Sequence, residues 1–207
     1  MTLDEGYIKY RSHWSPGPAP DIAATTLLEK WRSPLFVAGL IGHYDELNIG
    51  FGNISVRSPE PGRFLITGTQ TGHIEHTTAE HYALVTGFDI GRNEVFCSGP
   101  VQASSEAMTH AAIYLLDSSI GAIVHVHSKA LWDQHMNALP TTEAAVSYGT
   151  PEMAGELKRL YRESKFSSVG IAVMGGHSEG LISIGESLEL AATRILTLAK
   201  NNARSDS

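Results

Sequence analysis

The sequence contains a single cysteine, Cys97, among 207 residues. One thiol can form neither an intrachain disulfide nor a thiolate metal site, so a metal site here would have to use histidine and carboxylate ligands. Basic residues are also scarce: 15 Lys and Arg against 22 Asp and Glu give a net charge of -7, with no basic run. This balance argues against nucleic acid or an anionic membrane as a partner and favours a small molecule.

Long apolar runs are absent as well. No stretch of about 18 apolar residues occurs, and the residues after Met1 contain no apolar core of a secretory signal. We therefore expect neither a membrane span nor a signal peptide, and a cytoplasmic protein. The hydrophobic fraction of 42% is sufficient for one well-packed domain. The Pro-rich "SPGPAP" at 15–20 is the one candidate linker, which predicts an N-terminal arm over 1–20 and a single domain over 21–207.

Periodicity predicts alternating strands and helices, which indicates an α/β or α+β fold built in layers. Predicted strands are "NISVR" (53–57), "RFLITG", "YALVTGFDI", "IGAIVHVHS" (120–128) and "GIAVMGG". Predicted helices are "LFVAGLIGHY" (35–44) behind Pro34, "SSEAMTHAAIYLLD" (104–117) capped by Ser104 or Ser105, "TPEMAGELKRLYRES" (150–164) opened by Thr150 and Pro151, and "ESLELAATRILTLAKNN".

Two histidines stand one residue apart in "AIVHVHSK" (122–129). On a strand, residues two apart point to the same side, so His125 and His127 share one face while Val124 and Val126 face the core. The pair can share one metal ion. Ordinary alternation on a half-buried strand produces the same pattern, so the pair alone does not establish a site.

Two further segments favour a metal site. His177 lies in the Gly-flanked turn "VMGGHSEGL", where backbone freedom allows the imidazole to be aimed at a neighbour. Glu106 lies at the start of a predicted helix, one turn before His110, where the helix dipole favours the carboxylate. Three histidines and a carboxylate form the ligand set of a catalytic Zn²⁺ or a similar divalent transition metal.

Other three-histidine architectures fit less well. A cupin requires a glutamate shortly after its His-x-His, which "HVHSKALWDQH" lacks, and long helical segments do not suit a β-barrel. A metallo-β-lactamase-type site requires an Asp-His pair where Ser128 and Lys129 stand.

The order of motifs resembles the class II aldolase and adducin family. The segments that carry the resemblance are "GNISVR" (52–57), "ITGTQTG" (66–72), "ASSE" (103–106), "IVHVHS" (123–128), "YGTPEMA" (148–154) and "GGHSEG" (175–180). The resemblance implies a three-layer α/β/α sandwich with a mainly antiparallel sheet, and a homotetramer with sites near subunit interfaces. It also implies that His125, His127 and His177 bind zinc, and that Glu106 is the acid/base residue and can also touch the metal.

In the sugar-phosphate aldolases of that family, the corresponding glycine, asparagine, threonine and serine segments hold the substrate phosphate. The matching residues here are Gly52, Asn53, Ser55, Thr71, Gly72, Ser104 and Ser105. Backbone amides and a helix N-terminus can bind an anion without a lysine. "ITGTQTG" is longer than the usual turn and lacks its proline, which leaves Thr69 and Thr71 as alternatives. The tail "NNARSDS" has no tyrosine for the proton-donor role that some family members assign to one.

The resemblance implies a lyase of the aldolase type, in which zinc stabilises an enediolate of a hydroxylated, phosphorylated or unphosphorylated, carbonyl compound. The same intermediate serves a dehydratase, a decarboxylase or an epimerase, and these alternatives remain open. So does an adducin-like interaction domain without catalysis.

The remaining polar residues are expected to have structural roles. His73, His76 and His81 are predicted in a solvated loop at the pocket rim. Lys129 is predicted to extend the strand and point away from the histidines. Tyr148 is kept as a weaker pocket candidate.

Overall fold

A computed structural model of the chain describes residues 6–205, which form one eight-stranded sheet, a two-stranded sheet and six α-helices. The helices are α1 (Ile22–Val37), α2 (Ala107–Tyr114), α3 (Lys129–His135), α4 (Pro151–Glu163), α5 (Phe166–Val169) and α6 (Leu188–Ser205). The strands are β1 (Arg11–Pro16), β2 (Gly42–Tyr44), β3 (Ile49–Phe51), β4 (Asn53–Arg57), β5 (Phe64–Thr67), β6 (Tyr82–Asp89), β7 (Glu94–Gly99), β8 (Ala122–His127), β9 (Ile171–Val173) and β10 (Gly180–Gly185).

The large sheet has the strand order β1-β7-β6-β5-β4-β8-β10-β9. Among its described strand pairs only β1 with β7 is parallel, so the predicted antiparallel character is confirmed. Strand β8 lies inside the sheet, between β4 and β10, and all its residues are buried. The two histidines of the His-x-His motif therefore lie in the interior of the fold.

Helices cover both faces of this sheet. One hydrophobic cluster joins Ile123 of β8 to α2, α4 and α5, and a second joins Val124 and Val126 to α1, α3 and α6. Adjacent residues of β8 thus enter different cores, as strand alternation requires. This arrangement is the predicted three-layer α/β/α sandwich.

Helix α4 matches its sequence prediction closely. Thr150 caps it, since its hydroxyl accepts a hydrogen bond from Met153 N (3.3 Å), and Pro151 occupies the first turn. Its apolar side chains Met153 and Leu157 are buried. The Thr150 cap and the spacing of the apolar residues were sufficient to predict this helix from the sequence.

The helix predicted over 35–44 is wrong. Helix α1 begins after Asp21, whose carboxylate accepts from Ala24 N at 3.0 Å, and Pro34 lies in its last turn. Gly39 then adopts a left-handed conformation (φ 69°) and donates to Phe36 O at 2.9 Å. A glycine just past the last turn terminates a helix, so the segment after Pro34 ends an element instead of starting one.

Two other predictions need correction. Helix α2 spans Ala107–Tyr114 rather than 104–117, because Ser104 N pairs with Thr67 O (3.1 Å) in extended backbone. Lys129 begins α3 and forms an exposed pair with Asp133 (2.6 Å), so it does not extend the strand.

Part of the predicted N-terminal arm belongs to the large sheet. Its residues 11–16 form the edge strand β1, while residues 1–5 lie outside the described range. The domain division at residue 20 stays a prediction. Among the described residues, no helix is both long and apolar enough to span a bilayer.

Candidate metal centre

Strand β8 places the first two candidate ligands. His125 and His127 point to the same side, as their spacing predicts, and both are fully or almost fully buried. Their Nε2 atoms lie 3.1 Å apart. The outer edges of the two imidazoles therefore converge on one point.

The turn between β9 and β10 positions the third candidate ligand, His177. His177 N donates to Met174 O (3.1 Å) and Gly180 N donates to His177 O (2.9 Å), so the turn is held by its own backbone. A Cβ on Gly180 would lie 2.7 Å from His177 Cδ2, which explains why a glycine stands there. His177 Nε2 lies 3.1 Å from His127 Nε2, so the three histidines form one cluster.

Two hydrogen bonds decide which nitrogen of each imidazole carries its proton. His125 Nδ1 donates to Leu181 O at 3.0 Å, and a carbonyl can only accept. His127 Nδ1 lies 3.3 Å from the hydroxyl of Tyr44, which donates its own proton to Glu179 Oε2 at 2.7 Å. The phenol oxygen is then the acceptor for His127. In both neutral rings the proton is on Nδ1, and Nε2 bears a lone pair.

Burial keeps these rings neutral. Desolvation lowers the pKa of His125 to about 4, partly opposed by its bond to the Leu181 carbonyl. Desolvation also lowers the pKa of His127 and His177 well below the ordinary value, with neighbouring histidines adding to the effect. At neutral pH the cluster is therefore free of charge and able to bind a cation.

The donor atoms fit a divalent transition metal. A tetrahedral zinc ion with nitrogen ligands at about 2.0–2.1 Å sets neighbouring nitrogens roughly 3.3 Å apart. The observed separations of 3.1 Å are close to this value. Two imidazole lone pairs that face each other at this distance repel unless a cation lies between them. The cluster thus has the chemistry and the spacing of a three-histidine metal site.

Glu106 adds a carboxylate to this centre. It is the residue before α2 and is completely buried. Its Oε1 lies 3.2 Å from His177 Nε2 and 3.9 Å from His125 Nε2. The carboxylate therefore reaches the same point as the imidazoles and can act as a fourth ligand or as a base.

A small cavity adjoins the metal centre. Its lining contains the predicted Gly52, Asn53, Thr71, Gly72, Ser104 and Ser105, together with Gly6, Gly50, Gly68, Thr69 and Gln70. All these side chains are uncharged. The buried Asn53 Oδ1 has no hydrogen-bond partner within residues 6–205, and Asn53 pairs with His125 across the sheet. Six of the seven predicted anion-binding residues thus line one cavity beside the histidines.

Close backbone packing shapes this cavity. A Cβ on Gly72 would lie 2.0 Å from Gly42 O, so only glycine fits between the two loops. Buried Arg32 donates to Thr71 O (3.1 Å) and holds the loop from behind without entering the lining. Both Thr69 and Thr71 line the cavity, and the hydroxyl of Thr71 donates to Gly68 O at 2.8 Å.

Ser55 lies apart from the cavity. Its hydroxyl is 2.7 Å from His110 Nδ1 and 2.7 Å from the hydroxyl of Tyr114, beneath α2. Asn53 and Ser55 are two residues apart and share one face of β4, but Ser55 lies further along the strand, opposite Ile123, where α2 covers it. We therefore leave Ser55 out of the substrate-binding set proposed below.

The remaining polar residues considered in the sequence are three loop histidines and Tyr148. The side chain of His76 is 76% exposed, and His81 accepts from Thr78 N (2.9 Å) within its own turn. His73 contacts the ring of His43 (centroids 5.6 Å apart). Tyr148 is fully buried, with its ring 4.4 Å from that of His177.

Sequence reasoning missed several groups at the site. Tyr44 and Glu179 support His127, and Gly6 and Gln70 line the cavity. Glu179 is in the quoted turn "GGHSEG", so its proximity to His177 in sequence was the one available indication. Nothing in the sequence places β2 or residue 6 beside the metal centre.

Comparison with known proteins decides the family. The sequence profile described as "Class II Aldolase and Adducin N-terminal domain" matches residues 38–201. The chain belongs to the class II aldolase and adducin family. The profile match therefore confirms the resemblance that the motifs indicate.

Solved structures agree on the fold. An L-fuculose 1-phosphate aldolase superposes with a TM-score of 0.65 at 19% identity, covering 91% of this chain and 88% of its own. YgbL, a putative aldolase/epimerase/decarboxylase from Klebsiella pneumoniae, gives 0.64 at 19% identity, with 87% of each chain covered. The L-fuculose-1-phosphate aldolase from Thermus thermophilus gives 0.58 at 22%, covering 86% and 90%. At these identities the similarity establishes the class II aldolase fold.

Proposed function

We propose that this class II aldolase family member is a metal-dependent lyase that cleaves a small hydroxylated carbonyl compound. Zinc, or another divalent transition metal, would be held by His125, His127 and His177. The observation that carries the proposal is the pair of Nε2 atoms, 3.1 Å apart, both left unprotonated by the hydrogen bonds at Nδ1. A bound ion would supply a Lewis acid that polarises the substrate carbonyl and stabilises negative charge on its oxygen.

Glu106 is proposed to move the proton. The buried carboxylate lies within 3.2 Å of His177 Nε2, so it reaches any oxygen or carbon positioned at the same centre. A hydrogen bond from Glu106 N to Ser104 Oγ (3.3 Å) holds the backbone of this residue at the start of α2. A fixed carboxylate beside a polarised carbonyl is suited to general acid–base catalysis.

The adjoining cavity is proposed to bind a substrate phosphate. Asn53, Thr71, Ser104 and Ser105, with Gly52 and Gly72, supply hydroxyl, amide and backbone N–H groups, and no carboxylate is among the described residues that line the cavity. Such groups bind anions without a counter-charge. The substrate is then a phosphorylated carbonyl compound that spans the cavity and the metal centre.

The assembly of the protein, its partners and its location form a further part of the proposal. We propose a homo-oligomer of four chains, as the family resemblance implies, acting on a small molecule in the cytoplasm, with no nucleic-acid or membrane partner. Light scattering at micromolar concentration should give a mass of about four chains. A fully active monomer would contradict this assembly.

One screen separates the candidate reactions. The zinc-loaded protein is incubated with a panel of phosphorylated hydroxy-carbonyl compounds, and products are identified by ¹³C NMR. Two carbonyl fragments indicate a lyase of the aldolase type, carbon dioxide a decarboxylase, loss of water a dehydratase and an isomer an epimerase. We expect two fragments. No turnover of any compound by the zinc-loaded protein would favour a non-catalytic adducin-like domain.

Glu106→Gln tests the assigned proton transfer. The amide keeps the shape of the side chain, so fold and metal content should persist while turnover falls by about 10²-fold or more. The matched control is Glu152→Gln on α4, an acid in a helix first turn outside the site, which should leave turnover unchanged. Equal activity in Glu106→Gln and wild type would remove Glu106 from the reaction.

A further inference from the structure

A buried arginine, Arg32, lies behind the small cavity that adjoins the metal centre. Its side chain is 1% exposed and belongs to α1, before the family match at 38–201 begins. A charged side chain is almost never fully buried unless it is paired. Here Glu29 Oε2 lies 3.9 Å from Arg32 Nη1 and also accepts a hydrogen bond from the Thr77 hydroxyl. The buried charge is thus balanced by a carboxylate of the same helix.

The guanidinium of Arg32 holds three backbone carbonyls of one loop. It donates to Thr71 O at 3.1 Å, to Glu75 O at 3.2 Å and, at a longer 3.5 Å, to Gly72 O. The donors of a guanidinium form a rigid planar fork, so these bonds fix the orientation of the carbonyls as well as their position. Thr71 and Gly72 line the small cavity, which we call the anion cavity, and Arg32 does not. The loop therefore lies between the guanidinium and the cavity.

The bond to Thr71 O sets the direction of the next backbone N–H. The peptide unit between Thr71 and Gly72 is trans, and in a trans unit the carbonyl and the N–H point in opposite directions. Since the carbonyl points to Arg32, the Gly72 N–H points away from α1. A Cβ on Gly50 would lie 3.1 Å from Gly72 N, and Gly50 also lines the anion cavity. The Gly72 N–H therefore faces the cavity.

This N–H is available to a ligand. Gly72 is buried, and its N–H has no acceptor within residues 6–205. Buried backbone N–H groups are almost always hydrogen-bonded, so a free one in a cavity wall indicates a ligand acceptor. Gly50 has no side chain that would cover it. The cation bonded to the carbonyl of the same peptide unit polarises that unit and makes the N–H a stronger donor.

We propose that Arg32 is a positioning residue that turns the Gly72 N–H toward the substrate phosphate and strengthens it as a donor. Arg32 acts through the loop and does not touch the anion. This inference rests on the proposed function, since it requires the anion cavity to bind a phosphate. A purely structural link between α1 and the loop would leave the phosphate affinity of the folded protein unchanged.

The test measures binding of inorganic phosphate by the zinc-loaded full chain. Isothermal titration gives the dissociation constant, and ¹H–¹⁵N NMR follows the amide proton of Gly72. In the wild type, phosphate should move this proton downfield, because it gains a hydrogen bond to an anion. Arg32→Met retains an apolar stem and removes every donor. Phosphate should then bind about 10-fold or more weakly, and the shift of the Gly72 proton should be lost.

Arg57→Met is the matched control. Arg57 also donates to three backbone carbonyls, those of Tyr114, Asp117 and Ile120, at 2.7 to 2.9 Å, but it does not line the anion cavity. This variant loses a similar set of hydrogen bonds and should bind phosphate as the wild type does. Arg32→Lys retains the charge without the planar fork and should show a smaller loss. It takes the place of Arg32→Met where that variant does not fold.

Wild-type phosphate affinity in the folded Arg32 variants overturns the assignment, as does an equal loss in Arg57→Met. A Gly72 amide proton that phosphate does not shift in the wild type overturns it as well. Zinc content is measured on the same samples. Normal zinc and phosphate binding in both the wild type and the Arg32 variants contradicts the role of Arg32 alone. A wild type that binds zinc but no phosphate contradicts the phosphate part of the proposed function, and the role of Arg32 with it.

Discussion

Tyr44→Phe should weaken zinc binding although Tyr44 is not a ligand. Its hydroxyl accepts from His127 Nδ1 at 3.3 Å and donates to Glu179 Oε2 at 2.7 Å, so it links a buried imidazole to a carboxylate. Removing it deprives the Nδ1 proton of this acceptor, and Nδ1 no longer favours the tautomer that leaves the lone pair on Nε2. Losing such a supporting group typically lowers metal affinity by about 10–100-fold.

That range corresponds to about 1.4–2.7 kcal/mol of binding free energy. Competition with a chromophoric zinc chelator at pH 7.5 measures the affinity directly. Tyr161→Phe is the matched control, because the Tyr161 hydroxyl also donates to a carboxylate, Asp117 Oδ2 at 2.9 Å, but lies away from the metal centre. Wild-type affinity in Tyr44→Phe, or an equal loss in Tyr161→Phe, would show that the Tyr44 hydroxyl does not support zinc binding by His127.

Two other predictions concern the anion cavity and the buried histidines. Inorganic phosphate should raise the melting temperature of the wild type. Ser105→Ala should abolish that rise, whereas the exposed control Ser168→Ala should keep it. No rise in the wild type would indicate an unphosphorylated substrate. In metal-free protein the pKa of His125 is about 4, against about 6.5 when unfolded, so as pH falls from 6.5 to 4 the unfolded state takes up a proton that the folded state does not. Stability should therefore drop by about 3 kcal/mol over that window through His125 alone, and urea midpoints that do not change with pH would contradict it.

Local rules were sufficient for the parts of the molecule that depend on neighbouring residues. Strand alternation predicted that His125 and His127 share a face, and the Thr150 cap predicted α4. The same rules failed at Pro34. Proline favours the first turn of a helix, which suggested a helix start there, but the helix begins after the Asp21 cap and Pro34 lies in its last turn. A local pattern can be assigned to the wrong end of an element when its other end is not identified.

Contacts between distant segments could not be predicted in this way. Tyr44 reaches Glu179 across 135 positions of the chain, and Tyr7 reaches Tyr148 across 141. Neither pair has a sequence pattern of its own. Ser55 shows the reverse case, since it belongs to a recognised motif yet is hydrogen-bonded to His110 beneath α2. Motif membership identified the segment, and only the three-dimensional fold shows which of its side chains line the cavity.

Metal stoichiometry shows whether the three-histidine cluster holds a metal ion. Elemental analysis of purified protein supplied with zinc should give about one ion per chain, and His125→Ala should lose it because two imidazoles leave an incomplete ligand shell. Exposed His76→Ala is the matched control and should keep the metal. A wild type without metal after zinc is supplied, or full metal content in His125→Ala, would show that this cluster is not a metal site.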